Sequence, residues 1–323
     1  MAKQKLSILV AMKIYFAPME GITGYIYRNA HSRIFGGVDT YFTPFIVANQ
    51  TRNLKTRERR DALPENNTGL NIVPQILGHR VEDVIYTAES MKEMGYKEIN
   101  LNLGCPSATV VTKGRGAGML EDKVRLDNFL DELYTRLSDS ELKISLKTRL
   151  GMYEEEEINA LMNIYNKYPV SELIIHARVR EDFYNGFPRY EAFDRALKVS
   201  KAPVIYNGDI FAPIDYDNII KNYPEASGVM IGRGLLINPA LAREIRGGDA
   251  LKIDEFRAFH DEIFRSYYSE FDGNINVLHK MKELWAYWGR MFTDGNKALK
   301  QIKKARKINE YQAAVDSLCI GGF

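Results

Sequence analysis

Eight short apolar runs punctuate the first three quarters of the chain, at residues 14–19, 39–45, 71–77, 98–105, 143–150, 172–178, 203–209 and 228–234. Most are near-continuous, the pattern of strands covered on both faces. Between them lie stretches with helical spacing. In 81–94, Val84, Ile85, Ala88 and Met91 share one face; in 126–137, Phe129, Leu130 and Leu133 do the same. Strands alternating with amphipathic helices predict a parallel sheet. Eight repeats in about 230 residues match a (β/α)8 TIM barrel, here spanning 14–245. An open doubly wound sheet would carry a dinucleotide glycine fingerprint after its first strand. Met19-Glu20-Gly21-Ile22-Thr23-Gly24 is not that pattern.

The pattern changes after Arg246-Gly247-Gly248-Asp249. Beyond it no good strand appears, and helical spacing predicts helices at 254–270, 275–292, 296–308 and 309–318, with Gly273 and Gly295 as punctuation. A small domain resembling a four-helix bundle is expected over 250–323. At the other end, Lys3 and Lys5 precede a short apolar run that imitates the start of a signal peptide, but Lys13 interrupts it. Residues 1–13 read as a dispensable extension, with Met12 as an alternative start. No stretch approaches the length of a transmembrane helix.

Apolar content of 45% gives the chain enough material for a real core. Two cysteines, Cys105 and Cys319, fit a reducing cytoplasm better than a disulfide framework, and neither has metal-ligand spacing around it. Net charge is only +2, but it is unevenly spread. Residues 279–310 hold nine Lys or Arg against three acids, and 51–60 hold five against one. Basic patches on a near-neutral protein suit a polyanion, although solvated helix faces would look the same. In 296–308, Lys297, Lys300, Lys303, Lys304 and Lys307 fall on one face, opposite Ala298, Leu299, Ile302 and Ala305. Such a stripe suits sequence-independent contact with phosphates, and Lys297, Lys300 and Lys304 are its expected contacts.

The chemistry concentrates at the ends of the strands, where barrels of this type place their active sites. Gln75 ends the third, Asn102 and Cys105 the fourth, Lys147 and Arg149 lie in the fifth, and His176 and Arg178 end the sixth. Asn207-Gly208-Asp209 and Gly232-Arg233-Gly234 end the seventh and eighth. Each residue alone has a structural reading, and a free cysteine is usually a core filler. Six consecutive strands ending in polar groups are a constellation. The glycine-rich ends of strands seven and eight, with Arg233, suit a phosphate. With Lys147 and Gln75 across the mouth, the ligand could be a flavin mononucleotide.

Ala17-Pro18-Met19-Glu20-Gly21-Ile22-Thr23, Gln75-Ile76-Leu77-Gly78, Asn100-Leu101-Asn102-Leu103-Gly104-Cys105-Pro106-Ser107, Lys147-Thr148-Arg149-Leu150-Gly151, His176-Ala177-Arg178, Asn207-Gly208-Asp209-Ile210 and Gly232-Arg233-Gly234 occur in this order. Together they resemble the tRNA-dihydrouridine synthase family. The resemblance implies FMN-dependent reduction of the uracil C5–C6 double bond in tRNA, with NADPH as reductant. It implies hydride delivery to C6 and a proton from Cys105 to C5. Pro18, Met19, Gln75, Lys147, His176, Asn207, Gly208, Asp209, Gly232 and Arg233 would line the FMN. Asn102 and Arg178 would hold or orient the uracil, and Lys147 would serve flavin and base alike. A thiol near its ordinary pKa of about 8.5 suits that acid role. The target base must leave its stack to reach the barrel, and Tyr184 and Tyr206 are candidates to stack on it. Two positions depart from the family pattern. Val179 replaces a common Thr, and 108–112 lacks the usual lysines after Cys-Pro. Neither a metal nor a protein partner is implied, and a monomer is expected. Two rival readings stay open: an FMN enzyme acting on a free dihydropyrimidine or enone, and an RNA-binding protein that takes no flavin.

Overall fold

The computed structural model describes residues 12–273, 275–292 and 296–323. Ten parallel strand segments form one sheet: β1 Lys13–Phe16, β2 Thr40–Phe42, β3 Ile46–Val47, β4 Ile72–Val73, β5 Gln75–Leu77, β6 Glu98–Leu103, β7 Lys143–Arg149, β8 Leu173–His176, β9 Val204–Asn207 and β10 Gly228–Ile231. They make eight staves, because β2 continues as β3 and β4 as β5. Pro74 causes the second break. It has no N–H to give the ladder, although its carbonyl still accepts from Asn100 N at 2.8 Å. The Thr43 hydroxyl helps bridge the gap by accepting from Gln75 N at 3.0 Å.

Pairing continues around the whole circle. β1 pairs with β10 on one side and β2 on the other, β2 with β4, β3 with β5, and β5 with β6. The remaining neighbours, β6 to β10, pair in sequence order. The sheet thus closes into the TIM barrel that the apolar pattern predicts. Tyr15, Ala17, Phe42, Val73, Ile174, Ile205 and Met230 pack in its interior, and alternate residues face the surrounding helices. Several strands stop short of their apolar runs, β1 at Phe16, β8 at His176 and β10 at Ile231. Past those points the chain leaves the ladder as loops that carry the polar motifs. Of the extension expected at 1–13, residues 1–11 lie outside the described residues. Lys13 belongs to β1, opposite Gly228.

Beyond the barrel come helices Ile253–Glu270, Asn276–Trp288, Asn296–Lys304 and Ile308–Gly321. They do not stand apart from it. Tyr27, on barrel helix Tyr25–Ile34, packs with its ring 5.3 Å from Phe259 and 6.5 Å from Trp288. Phe35 lies 5.1 Å from Phe259. All four side chains are buried. The last helix is seated by Tyr311, whose hydroxyl is 2.6 Å from His260 Nε2 and accepts from Trp285 Nε1 at 2.8 Å.

The helix expected at 296–308 ends at Lys304. Glu310 explains the break: its carboxylate accepts from Arg306 N at 3.0 Å and Lys307 N at 3.3 Å, and so opens a new helix. Lys307 therefore drops out of the stripe. Lys297, Lys300, Lys303 and Lys304 are exposed, while Ala298 and Ile302 beneath them are buried. Among the described residues no helix is long and apolar enough to cross a membrane.

Candidate active site

The C-terminal ends of the staves surround a cavity of about 490 Å³. Pro18, Met19, Gln75, Lys147, His176, Asn207, Gly208, Asp209, Gly232 and Arg233 all stand on its wall, with Asn102 and Cys105. Arg178, Tyr206 and the helical lysines do not.

A chain of side-chain amides runs along one side of this wall. Asn102 Oδ1 accepts from Gly104 N at 3.0 Å and Cys105 N at 2.9 Å. Those groups can only donate, so the Asn102 NH2 must face the other way, and it donates to Gln75 Oε1 at 2.8 Å. Gln75 Nε2 then donates to Asn100 Oδ1 at 2.8 Å, and Asn100 Nδ2 to Ser145 Oγ at 3.1 Å. The Ser145 hydroxyl passes its own hydrogen to Ile99 O at 3.2 Å. Every orientation follows from the two backbone N–H groups at the cysteine. Asn102 and Gln75 each keep one N–H unspent, and the lone pairs of Asn102 are occupied. This side of the cavity is thus biased toward donating hydrogen bonds, which suits a ligand edge rich in carbonyls or bare ring nitrogens.

Lys147 and Arg149 project from β7. Lys147 has no hydrogen-bond or ion-pair partner among the described residues. Burial, helped by neighbouring Arg149, pushes its pKa down to about 7. Arg149 ties two loops together, donating to Gly104 O at 2.9 Å after β6 and to Val179 O at 2.8 Å and Phe183 O at 2.7 Å after β8. Burial lowers it only to about 10, so it remains a cation. His176 is held neutral by burial and by the positive field of Arg149, Lys147, Arg178 and Arg233. Its Nε2 lies 3.4 Å from Arg178 Nη1, which can only donate, so the ring proton sits on Nδ1.

Cys105 follows β6 in a loop that folds back on it. Gly116, at φ +55°, comes so close that a Cβ there would lie 2.9 Å from Cys105 Cβ. Ala117 N donates to Cys105 O at 3.1 Å. Burial pushes the thiol pKa up, and this outweighs the opposing pull of Arg149 and Lys147. The thiol is protonated at neutral pH.

Two expectations need correction. Arg178 is fully buried, and all its donors are spent inside the protein. Nε donates to Asn185 O at 3.0 Å and Nη2 to Gly186 O at 2.6 Å. Nη1 and Nη2 hold the Asp209 carboxylate at 3.2 and 2.6 Å, and the last donor meets His176. It fastens a loop and has no N–H left for a base. Tyr206 is also fully buried, its ring 5.0 Å from that of Phe193 on the helical side of β9. Tyr184 does reach the cavity. Asp209 accepts from Arg233 Nη2 at 2.6 Å as well as from Arg178, so the acid on this wall is doubly compensated.

Glu20, Phe45, Phe183 and Tyr287 also line the wall. Glu20 was within reach of sequence reasoning, since it follows Met19 in the first strand-end motif. Tyr287 comes from the C-terminal helices, and no motif announces it.

A protein-family model described as dihydrouridine synthase matches residues 15–318. A probable tRNA-dihydrouridine synthase of Staphylococcus aureus (strain COL) is 27% identical over 307 residues, covering 93% of this chain and 91% of that protein. A tRNA-dihydrouridine(16) synthase of Aquipseudomonas alcaligenes is 30% identical over 243 residues, covering 72% and 75%. Among solved structures, morphinone reductase superposes with a TM-score of 0.54 at 12% identity, over 74% of this chain and 86% of that one. An old yellow enzyme homologue from Zymomonas mobilis gives 0.53 at 10% identity, over 74% and 90%. At such identities these structures speak for the barrel alone.

Proposed function

The chain belongs to the dihydrouridine synthase family, and on that premise we propose that it reduces uridine in tRNA to 5,6-dihydrouridine, using bound FMN and NADPH as reductant. The observation that carries this reading is Cys105: a thiol on the wall of a donor-rich cavity, kept protonated by burial despite two nearby cations.

The donor set suits FMN. A side chain at Gly232 would meet only Ala17 Cβ at 3.4 Å and Met19 Sδ at 3.7 Å, so glycine leaves room there for a phosphate beside Arg233. Gln75 offers its spare N–H, and unpartnered Lys147 offers an ammonium that an anionic ligand would keep charged. When bound, FMN supplies the hydride that goes to uracil C6. Cys105 supplies the proton: its S–H bond breaks as the C5–H bond forms, leaving a thiolate that solvent reprotonates. Asn102 sets the backbone of the cysteine and turns its remaining N–H to the base. Arg178 serves as a positioning residue, holding Asp209 and the 185–186 loop. The exposed lysines of Asn296–Lys304 meet tRNA phosphates.

The test is mass spectrometry of tRNA from a strain lacking this protein. One dihydrouridine should disappear and return with the wild-type gene but not with Cys105→Ala. Position 16 is the first to examine, since a relative carries that position in its name. Unchanged dihydrouridine at every position would overturn the proposal.

A further inference from the structure

We infer that a ledge of aromatic and arginine side chains beside the cavity mouth stacks the unpaired tRNA bases that flank the target nucleotide. The inference rests on the proposed function for its substrate and on the following geometry for its place.

Phe183 and Tyr184 line the cavity and are also exposed, at 37% and 45%. Phe187, on the same loop, is 89% exposed, and Phe211, after β9, is 37% exposed. Arginines alternate with these rings. Arg180 lies 4.9 Å from the Phe183 ring. Arg233 lies 5.3 Å from the Tyr184 ring and 5.5 Å from the Phe211 ring. Arg290, exposed in the short turn that follows the helix bearing Tyr287, lies 6.0 Å from Phe211. A continuous path leads from the cavity over Tyr184, Arg233 and Phe211 to Arg290, toward the helices that carry the lysines.

The ledge is held from within. Buried Arg149 binds the carbonyl of Phe183, and buried Arg178 binds those of Asn185 and Gly186. Phe183 itself sits at φ +49°, a conformation bulky residues rarely adopt, so the clamp holds it against local preference. Single exposed aromatics are unremarkable on a protein surface. A fixed series interleaved with arginines is the composition that binds single-stranded nucleic acid, where bases stack on rings and guanidinium planes. The need is concrete: turning one base out of a tRNA loop leaves its neighbours without a stacking partner. Arginines among aromatic rings also occur at protein interfaces; the tRNA substrate proposed for the adjoining cavity selects nucleic acid here.

The experiment compares the wild type with Phe211→Ala, Phe211→Trp and Arg290→Gln, none of which lines the cavity. Binding of an unmodified tRNA transcript is measured over a range of salt. Loss of one stacking surface should weaken binding by about 5- to 100-fold. For Phe211→Ala the salt slope and flavin content should stay unchanged, and Phe211→Trp should restore affinity. Arg290→Gln should weaken binding and flatten the slope slightly. Wild-type affinity in Phe211→Ala, or a loss that Trp does not restore, overturns the ledge. If the wild type makes no dihydrouridine yet Phe211→Ala still binds RNA more weakly, the proposed reaction fails and the ledge stands.

Discussion

The cavity and the lysine helix both collect positive charge, and they do so in opposite ways. In the cavity the charges are buried and unequal. Lys147 is pushed down to about 7, Arg149 only to about 10, and His176 is kept neutral. Backbone carbonyls fix the arginine, and a chain of amides fixes the donors beside it. On helix Asn296–Lys304 the lysines project into water over an apolar underside of Ala298 and Ile302. Buried charge of the first kind is costly and oriented, so it suits chemistry at one atom. Exposed charge of the second kind is cheap and screened by salt, so it suits attraction to a polyanion.

The largest expected effect breaks the separation between the two regions. Removing residues 253–323 should abolish cooperative thermal unfolding of the barrel, because Tyr27 and Phe35 would be stripped of Phe259 and Trp288. The barrel and its helices are then one folding unit. A truncated barrel that melts cooperatively near the full-length temperature would make them two. Next in size, Cys105→Ala should keep its flavin and lose tRNA reduction by roughly 10²- to 10⁴-fold, the usual worth of a positioned acid. The loss should be the same at low and high salt.

Substituting Lys297, Lys300 and Lys304 with Glu should do the reverse. The KM for tRNA should rise by about 10- to 100-fold at low salt, with little change in kcat, and the gap should close as salt is added. A salt-independent defect would place these lysines in the chemistry. The smallest effect is on stability. Lys147 titrates near 10.5 when unfolded and near 7 when folded. Between these values the unfolded chain holds the extra proton, so stability rises with pH across that window. The flavin-free Lys147→Met protein should gain more in Tm at pH 6.5 than at pH 10. An equal gain at both would mean that Lys147 is not desolvated.

The sequence carried the barrel because its apolar runs recur with intervening helices, and it carried the strand-end motifs because a barrel gathers such residues at one mouth. It misplaced side chains where the strand period no longer applied. Arg178 is two residues past His176 and would share its face if the strand continued. β8 ends at His176, and the chain bends away. Tyr206 was legible by strict alternation, since Ile205 packs in the barrel interior and its neighbour must face out. The stripe lost Lys307 because a carboxylate at Glu310, outside the helix, captures two N–H groups. Tyr287 could not be read at all. It reaches the cavity only through tertiary docking of the C-terminal helices, which leave no local pattern for that contact.

That docking has a mechanical consequence. With Tyr27, Phe35, Phe259 and Trp288 interlocked, the helices that lead to the proposed tRNA-binding lysines are tied to the barrel whose mouth is the proposed site. On the proposed reading the protein is a gauge of fixed span, and the compliance comes from the RNA. In that case the uridine that enters is set by how far a given tRNA loop can be pulled toward the mouth while its backbone stays on the lysines. A stiffer loop of identical sequence would be a poorer substrate.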